Sequence, residues 1–125
     1  MTFDCSCDYD PPTFYSRTTP RARKRHACEE CDGKIMPGDR YERVSGLWDG
    51  NFSVFITCGR CTDIRTWLKN SLPCFCWAYG GMFEDAEESI REAQSRAPEE
   101  SRGLMFGFRR RIILRDRHNQ AQRAN

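Results

Sequence analysis

Short alternating runs in the first half of the chain give way to longer runs with helical spacing in the second. Phe52, Val54 and Ile56 alternate with Ser53, Phe55 and Thr57, the period-two pattern of a strand with one face able to pack inward. Tyr41-Glu42-Arg43-Val44 predicts a short strand before it. Trp48-Asp49-Gly50-Asn51 predicts the hairpin tip between them, because Asp-Gly accepts the positive φ of a tight hairpin turn. From Cys61 the period changes. Cys61, Ile64, Leu68 and Leu72 recur three and four residues apart, predicting a helix that opens at Cys58-Gly59-Arg60-Cys61 and stops before Pro73, which cannot continue the backbone ladder.

Phe83, Ala86, Ile90, Ala93 and Ala97 predict a second helix with a narrow apolar stripe. Glu84 and Asp85 lie near its positive end, and Glu87 with Arg91 and Glu92 with Arg96 are spaced as i,i+4 pairs. Pro98 marks a break and suits the first turn of a third helix containing Leu104, Met105, Phe108, Ile112 and Ile113. Gly103 and Gly107 are the exceptions in that run, and point instead to a strand or to a close approach of another backbone.

The intervening segments are polar. Residues 8–27 carry Pro11, Pro12 and Pro20 among Thr, Ser and Arg and read as an extended arm. Asp32-Gly33 and Pro37-Gly38-Asp39 read as turns. Residues 119–125 read as a frayed tail. The expected organisation is an arm over 1–27, a cysteine-rich finger over 28–72, a turn and two helices packed on it over 73–118, and the tail.

Composition shows why such a chain needs help to fold. Of 125 residues, 38% are hydrophobic and 30% charged, so the core is modest and a bound metal would supplement it. There are eight cysteines. A disulfide framework is the alternative to metal, but Met1–Asp10 shows no secretory pattern and no run approaches a membrane span. The expectation is a protein of the reducing cytoplasm, with its thiolates on zinc.

Cys28-Glu29-Glu30-Cys31 and Cys58-Gly59-Arg60-Cys61 supply the chemistry that fits this expectation. Two C-x2-C pairs give the four thiolates of a closed tetrahedral zinc site. A knuckle, a hairpin and a helix whose first turn brings the last two ligands resemble, over Cys28 to about Asn70, a treble-clef zinc finger. A zinc ribbon, with its second knuckle on a hairpin, is the competing geometry. The implied class is a small α+β, zinc-stabilised domain: a treble-clef-like finger followed by two further helices.

Cys5-Ser6-Cys7 and Cys74-Phe75-Cys76 leave four thiols for one more ion, so two zinc ions per chain are expected. Buried free cysteines at Cys74 and Cys76 are the alternative. His26 could replace a thiolate but reads as solvent-facing, and His118 has no cysteine near it in sequence.

Catalysis is not expected. A four-thiolate site has no open position for water, both histidines lie outside the hairpin and the helix, and no phosphate loop, Ser-His-Asp set or HExxH occurs. Binding is expected instead. Net charge is +2, but Arg17, Arg21, Arg23, Lys24 and Arg25 crowd the arm and Arg109, Arg110 and Arg111 the end, with acids between them. These cations beside Phe14 and Tyr15 suit nucleic-acid phosphates and bases. Trp48 at the hairpin tip suits a protein anchor, whereas Trp67, Trp77 and Tyr79 read as packing around the metal sites.

The run Arg40-Tyr41-Glu42-Arg43-Val44-Ser45-Gly46-Leu47-Trp48-Asp49-Gly50, together with Pro73-Cys74-Phe75-Cys76-Trp77, resembles small zinc-binding proteins of bacteriophages and prophages. The resemblance implies a phage accessory protein in the bacterial cytoplasm, with no settled activity to carry over. Cys28, Cys31, Ile35, Cys58 and Cys61 also resemble, more faintly, the four-cysteine finger of RNA-polymerase-binding regulators. The expected function is non-enzymatic binding of a host protein complex, with nucleic-acid regulation as the alternative; no membrane and no small-molecule substrate are expected.

Overall fold

The computed structural model describes residue 12 and residues 14–123. In chain order the elements are β1 (Phe14–Thr18), β2 (His26–Ala27), β3 (Lys34–Ile35), β4 (Tyr41–Trp48), β5 (Asn51–Cys58), α1 (Gly59–Ser71), α2 (Met82–Arg96) and α3 (Leu104–Arg123). The protein is therefore α+β. Strands β1, β4 and β5 form an antiparallel sheet in the order β1-β4-β5, and β2 pairs with β3 in a separate two-stranded ribbon.

The β4–β5 hairpin forms as its pattern predicts, with Trp48 opposite Asn51 and the turn made by Asp49 and Gly50 at φ 49° and 77°. Both values are left-handed, and Asp-Gly reaches them at little cost. Strand β4 runs to Trp48, four residues beyond the short strand read at Tyr41–Val44, because its backbone pairs on both sides.

Strand β1 corrects the reading of residues 14–18 as part of an extended arm. Phe14–Thr18 pairs with Leu47–Arg43. Local pattern gave no sign of this, since the pairing joins segments far apart in sequence.

Helix α1 buries Cys61, Ile64, Arg65 and Leu68 and ends with Leu72 donating its N–H to the Leu68 carbonyl. Helix α2 buries Met82, Ala86 and Ile90, and both expected surface pairs form, Arg91 to Glu87 at 2.7 Å and Arg96 to Glu92 at 2.9 Å. Helix α3 starts at Leu104, just after Gly103 at φ 79°, so Pro98 belongs to the preceding turns. Gly107 does permit close approach: a Cβ there would sit 3.0 Å from the Trp67 ring. Among the described residues the core runs from Cys28 and Ile35 through Ile64 and Leu68 to Met82, Ile90 and Phe108. It joins the finger to all three helices. No described helix is long and apolar enough to cross a membrane.

Helix α3 also corrects the reading of a frayed tail over residues 119–123, because it continues to Arg123 and buries Asn119 at 5% exposure; residues 124–125 lie outside the described residues. The polarity of this stretch hides a contact with the cysteine cluster.

Candidate metal centre

Two knuckles bring four sulfurs together. In the first, Asp32 takes φ 58°, its N–H bonds the Cys28 carbonyl at 2.9 Å, and the Cys28 N–H bonds the Gly33 carbonyl at 3.0 Å. This tight return points Cys28 and Cys31 the same way. The second pair straddles the end of β5 and the first turn of α1, with Cys58 as the residue before the helix and Cys61 within it. That placement matches the helix-borne second pair and departs from the ribbon geometry, in which a hairpin would carry it.

The ligand atoms of Cys28, Cys31, Cys58 and Cys61 all lie within 4.8 Å of one another. Cys31 Sγ and Cys58 Sγ are 3.7 Å apart. A zinc–sulfur bond of ~2.3 Å sets a tetrahedral sulfur–sulfur edge of ~3.8 Å, so the donor set and its spacing both fit zinc. Cys28, Cys58 and Cys61 are at most 2% exposed, whereas Cys31 is half-buried.

Four thiolates around one Zn²⁺ would carry a net charge of −2, and the surroundings offer donors to answer it. The Glu30 and Cys58 N–H groups point at Cys28 Sγ at 3.4 and 3.3 Å, and the Gly33 N–H at Cys31 Sγ at 3.4 Å. The Asn119 amide donates to Cys31 Sγ at 3.4 Å, and Arg115 Nη1 lies 3.9 Å from Cys61 Sγ. Hydrogen bonds from Cys28, Cys58 and Cys61 hold the Cys31 thiol far below the ordinary thiol range. Bonds to Cys28 and Cys31 push Cys58 and Cys61 the other way, and burial adds to this. Burial works against the Arg115 charge, but Asp116 and the Cys61 and Cys31 sulfurs outweigh it and raise its pKa.

Glu30, which lies between two ligands, is committed to structure. Its carboxylate accepts the N–H groups of Gly80 and of Met82, the latter at 3.0 Å, at the positive end of α2. This carboxylate ties the first knuckle to the second helix; burial raises its pKa.

The second expected zinc site is not supported. Cys5 and Cys7 lie outside the described residues. Cys74 Sγ and Cys76 Sγ lie 3.8 Å apart and form a pair separate from the four-sulfur cluster. The cluster of four described ligands accounts for one ion.

The expected partner residues separate. Trp48 is half-buried, its ring edge-on to Phe55 at 5.5 Å and to Tyr79 at 6.4 Å, so it packs on the fold as well as lying near the hairpin tip. Its indole also closes over Gly46, where a Cβ would lie 2.6 Å from the ring. Trp67 and Trp77 face cations, with Arg111 at 4.1 Å over the first and Arg65 and Lys69 at 5.2 and 5.1 Å over the second.

Arg17 bonds Glu42 at 2.7 Å, and Arg65 bonds the same carboxylate oxygen from α1. Arg21, Arg23, Lys24 and Arg25 are exposed, and no ion pair of theirs occurs among the described residues. Of the C-terminal cations, Arg109 is 3.9 Å from Glu87, Arg110 is exposed and Arg111 is stacked. His26 packs against Tyr41 at 5.0 Å, and His118 is exposed.

A hollow of about 320 Å³ between α1 and α3 is lined by Arg60, Asp63, Ile64, Arg111, Leu114 and Arg115. Its cations already serve the fold: Arg111 stacks on Trp67, Arg115 on Phe83 at 4.3 Å, and Arg60 reaches Asn119 at 3.4 Å.

No protein-family model, curated protein or solved structure matches this chain.

Proposed function

We propose that this chain is a non-catalytic binding protein whose fold is stapled by one structural zinc ion on Cys28, Cys31, Cys58 and Cys61. The observation that carries the reading is the convergence of four sulfurs, three of them buried, at the spacing of a tetrahedral four-thiolate site. Four protein ligands leave such an ion no position for water, so its contribution is folding free energy, about 10–16 kcal/mol in small zinc fingers at neutral pH. The order of knuckle, hairpin and helix supports a treble-clef finger.

Metal analysis of the purified protein tests the reading. About one zinc per chain is expected, lost together with the cooperative fold on chelation. A well-folded protein free of zinc, cobalt and iron would reject it.

A protein partner remains the second reading, but with a different anchor. Helix α3 exposes Phe106, Ile113 and Leu114 at 72, 51 and 52%, interleaved with Arg109, Arg110 and Arg117, a face suited to an acidic partner. Comparing capture by wild type and by Phe106→Ala/Ile113→Ala tests this face, and equal recovery of the same partner by both would reject it.

A further inference from the structure

The sheet has two unlike faces. Glu42, Val44 and Trp48 of β4, with Phe55 and Thr57 of β5, point toward α1 and Tyr79. The alternate residues point the other way, and the register gathers them into cross-strand rows. Phe14, Leu47 and Phe52 form one row, Ser16, Ser45 and Val54 the next, and Thr18, Arg43 and Ile56 the third. In the first row Phe14 is 56% and Phe52 65% exposed, although both flank a strand at the centre of the sheet. With strands ~4.8 Å apart, two rings rooted on the outer strands stand about 10 Å apart on one open face.

Cations gather at the opposite end of the sheet. Arg43 lies in the third row, about 14 Å along the strand from the aromatic row. Beyond it the arm folds back on the turn before β4. Ala22 N–H bonds the Asp39 carbonyl at 2.8 Å, Gly38 N–H the Ala22 carbonyl at 2.8 Å, and Arg21 is bridged to Arg40. Arg21, Arg23, Lys24, Arg25, Arg40 and Arg43 are thus brought to one end of the sheet from two separate segments, with Arg43 on the aromatic face and Arg40 alternating onto the other. All six are exposed, and none enters an ion pair among the described residues. The nearby acids are Asp39, which accepts the Met36 N–H at 3.0 Å, and Glu29 and Asp32 on the knuckle. Six cations against three carboxylates leave this end positive.

We propose that this open face binds single-stranded nucleic acid, with bases stacked on Phe14 and Phe52 and phosphates held by Arg43 and the folded-back arm. Rings on an open sheet offer every base a π-face, and unpaired guanidinium and ammonium groups offer the backbone its counter-charge. A duplex hides its base faces and can use only the cations. The inference rests on the zinc-stapled binding protein described above, because the staple holds the arm, the knuckle and the sheet together.

The test is fluorescence anisotropy of the full chain with labelled single-stranded DNA and RNA dodecamers, and with the duplex of the same DNA sequence, over a salt series. Zinc content is measured on every sample. Wild type is expected to bind single strands more tightly than the duplex. Phe14→Ala and Phe52→Ala are each expected to weaken single-strand binding about five- to a hundredfold while leaving zinc content and melting unchanged. Replacing Arg23, Lys24 and Arg25 with Ala should flatten the salt dependence.

The inference is overturned if zinc-loaded protein binds no strand at low salt, or if it binds duplex and single strand equally with no effect of the ring variants. It is also overturned if the ring variants only dissolve a dimer of this chain. Absence of zinc in folded protein would instead overturn the staple, and the two failures are read from the same samples.

Discussion

Asn119, in the last turns of α3, donates its side-chain amide to the sulfur of Cys31, 88 residues earlier in the chain, at 3.4 Å. The same side chain accepts from Arg60 of α1 at 3.4 Å and fills the space over Gly33, where a Cβ would lie 2.6 Å from its Oδ1. A polar residue near the C-terminal end of the chain thereby becomes part of the wall of the metal centre. Asn119→Ala should lower zinc affinity about 10- to 100-fold, the usual cost of losing a partner of a metal ligand. Gly33→Ala should do the same by displacing the amide. Competition with a chromophoric chelator measures both, and unchanged affinity would show that the contact is incidental.

The cluster should govern the whole fold rather than one loop, because Cys28, Cys58 and Cys61 are continuous with the core that reaches Phe108. Cys58→Ser or Cys61→Ser is expected to abolish cooperative unfolding. Excess chelator at neutral pH should produce the same loss of helical circular dichroism in wild type, restored by adding zinc.

Cys74 and Cys76 stand outside the cluster of four described ligands. Cys74→Ser should leave close to one zinc per chain. A wild-type content near two, falling to one in this variant, would restore the second site.

Glu42 supplies a pH dependence of known sign. Burial works to raise its carboxyl, but the Arg65 and Arg17 hydrogen bonds and charges outweigh it and hold the pKa below the usual carboxylate value. A depressed carboxyl contributes stability that is present above its unfolded pKa of about 4.3 and is lost as pH falls through the lower folded value. Glu42→Gln should remove that acid-side dependence relative to wild type. Arg65→Ala leaves the 1%-exposed carboxylate without its buried partner and should cost about 3–5 kcal/mol in denaturant unfolding.

Trp48→Ala should destabilise by roughly 2–4 kcal/mol, since the ring packs on Phe55, Tyr79 and the Gly46 backbone. Thermal melting checks this. A variant as stable as wild type that has lost binding would return Trp48 to the role of surface anchor.

The chain pattern carried the local decisions. Alternation at Phe52–Thr57, Asp49-Gly50, the stripe Cys61-Ile64-Leu68-Leu72 and the proline at 73 each depend on neighbours within a few residues, and each is realised in β5, the hairpin turn and α1. The four cysteines of the cluster were legible for the same reason: spacing within each pair is a backbone property, and thiolate chemistry needs no wider context.

What the tertiary structure decided are the pairings that cost loop closure and repay it only through long-range contact. β1 joins the sheet because β4 offers it an edge, Trp48 is half-buried because Tyr79 returns beside it, and Asn119 is buried because α3 lies across the first knuckle. None of these has a local signature. In one dimension Trp48 is a bulky residue at a turn, and Asn119 one amide in a polar tail. The sequence alone determined which four thiols could share a metal; packing determined that they converge and which aromatic and basic groups the fold leaves facing outward.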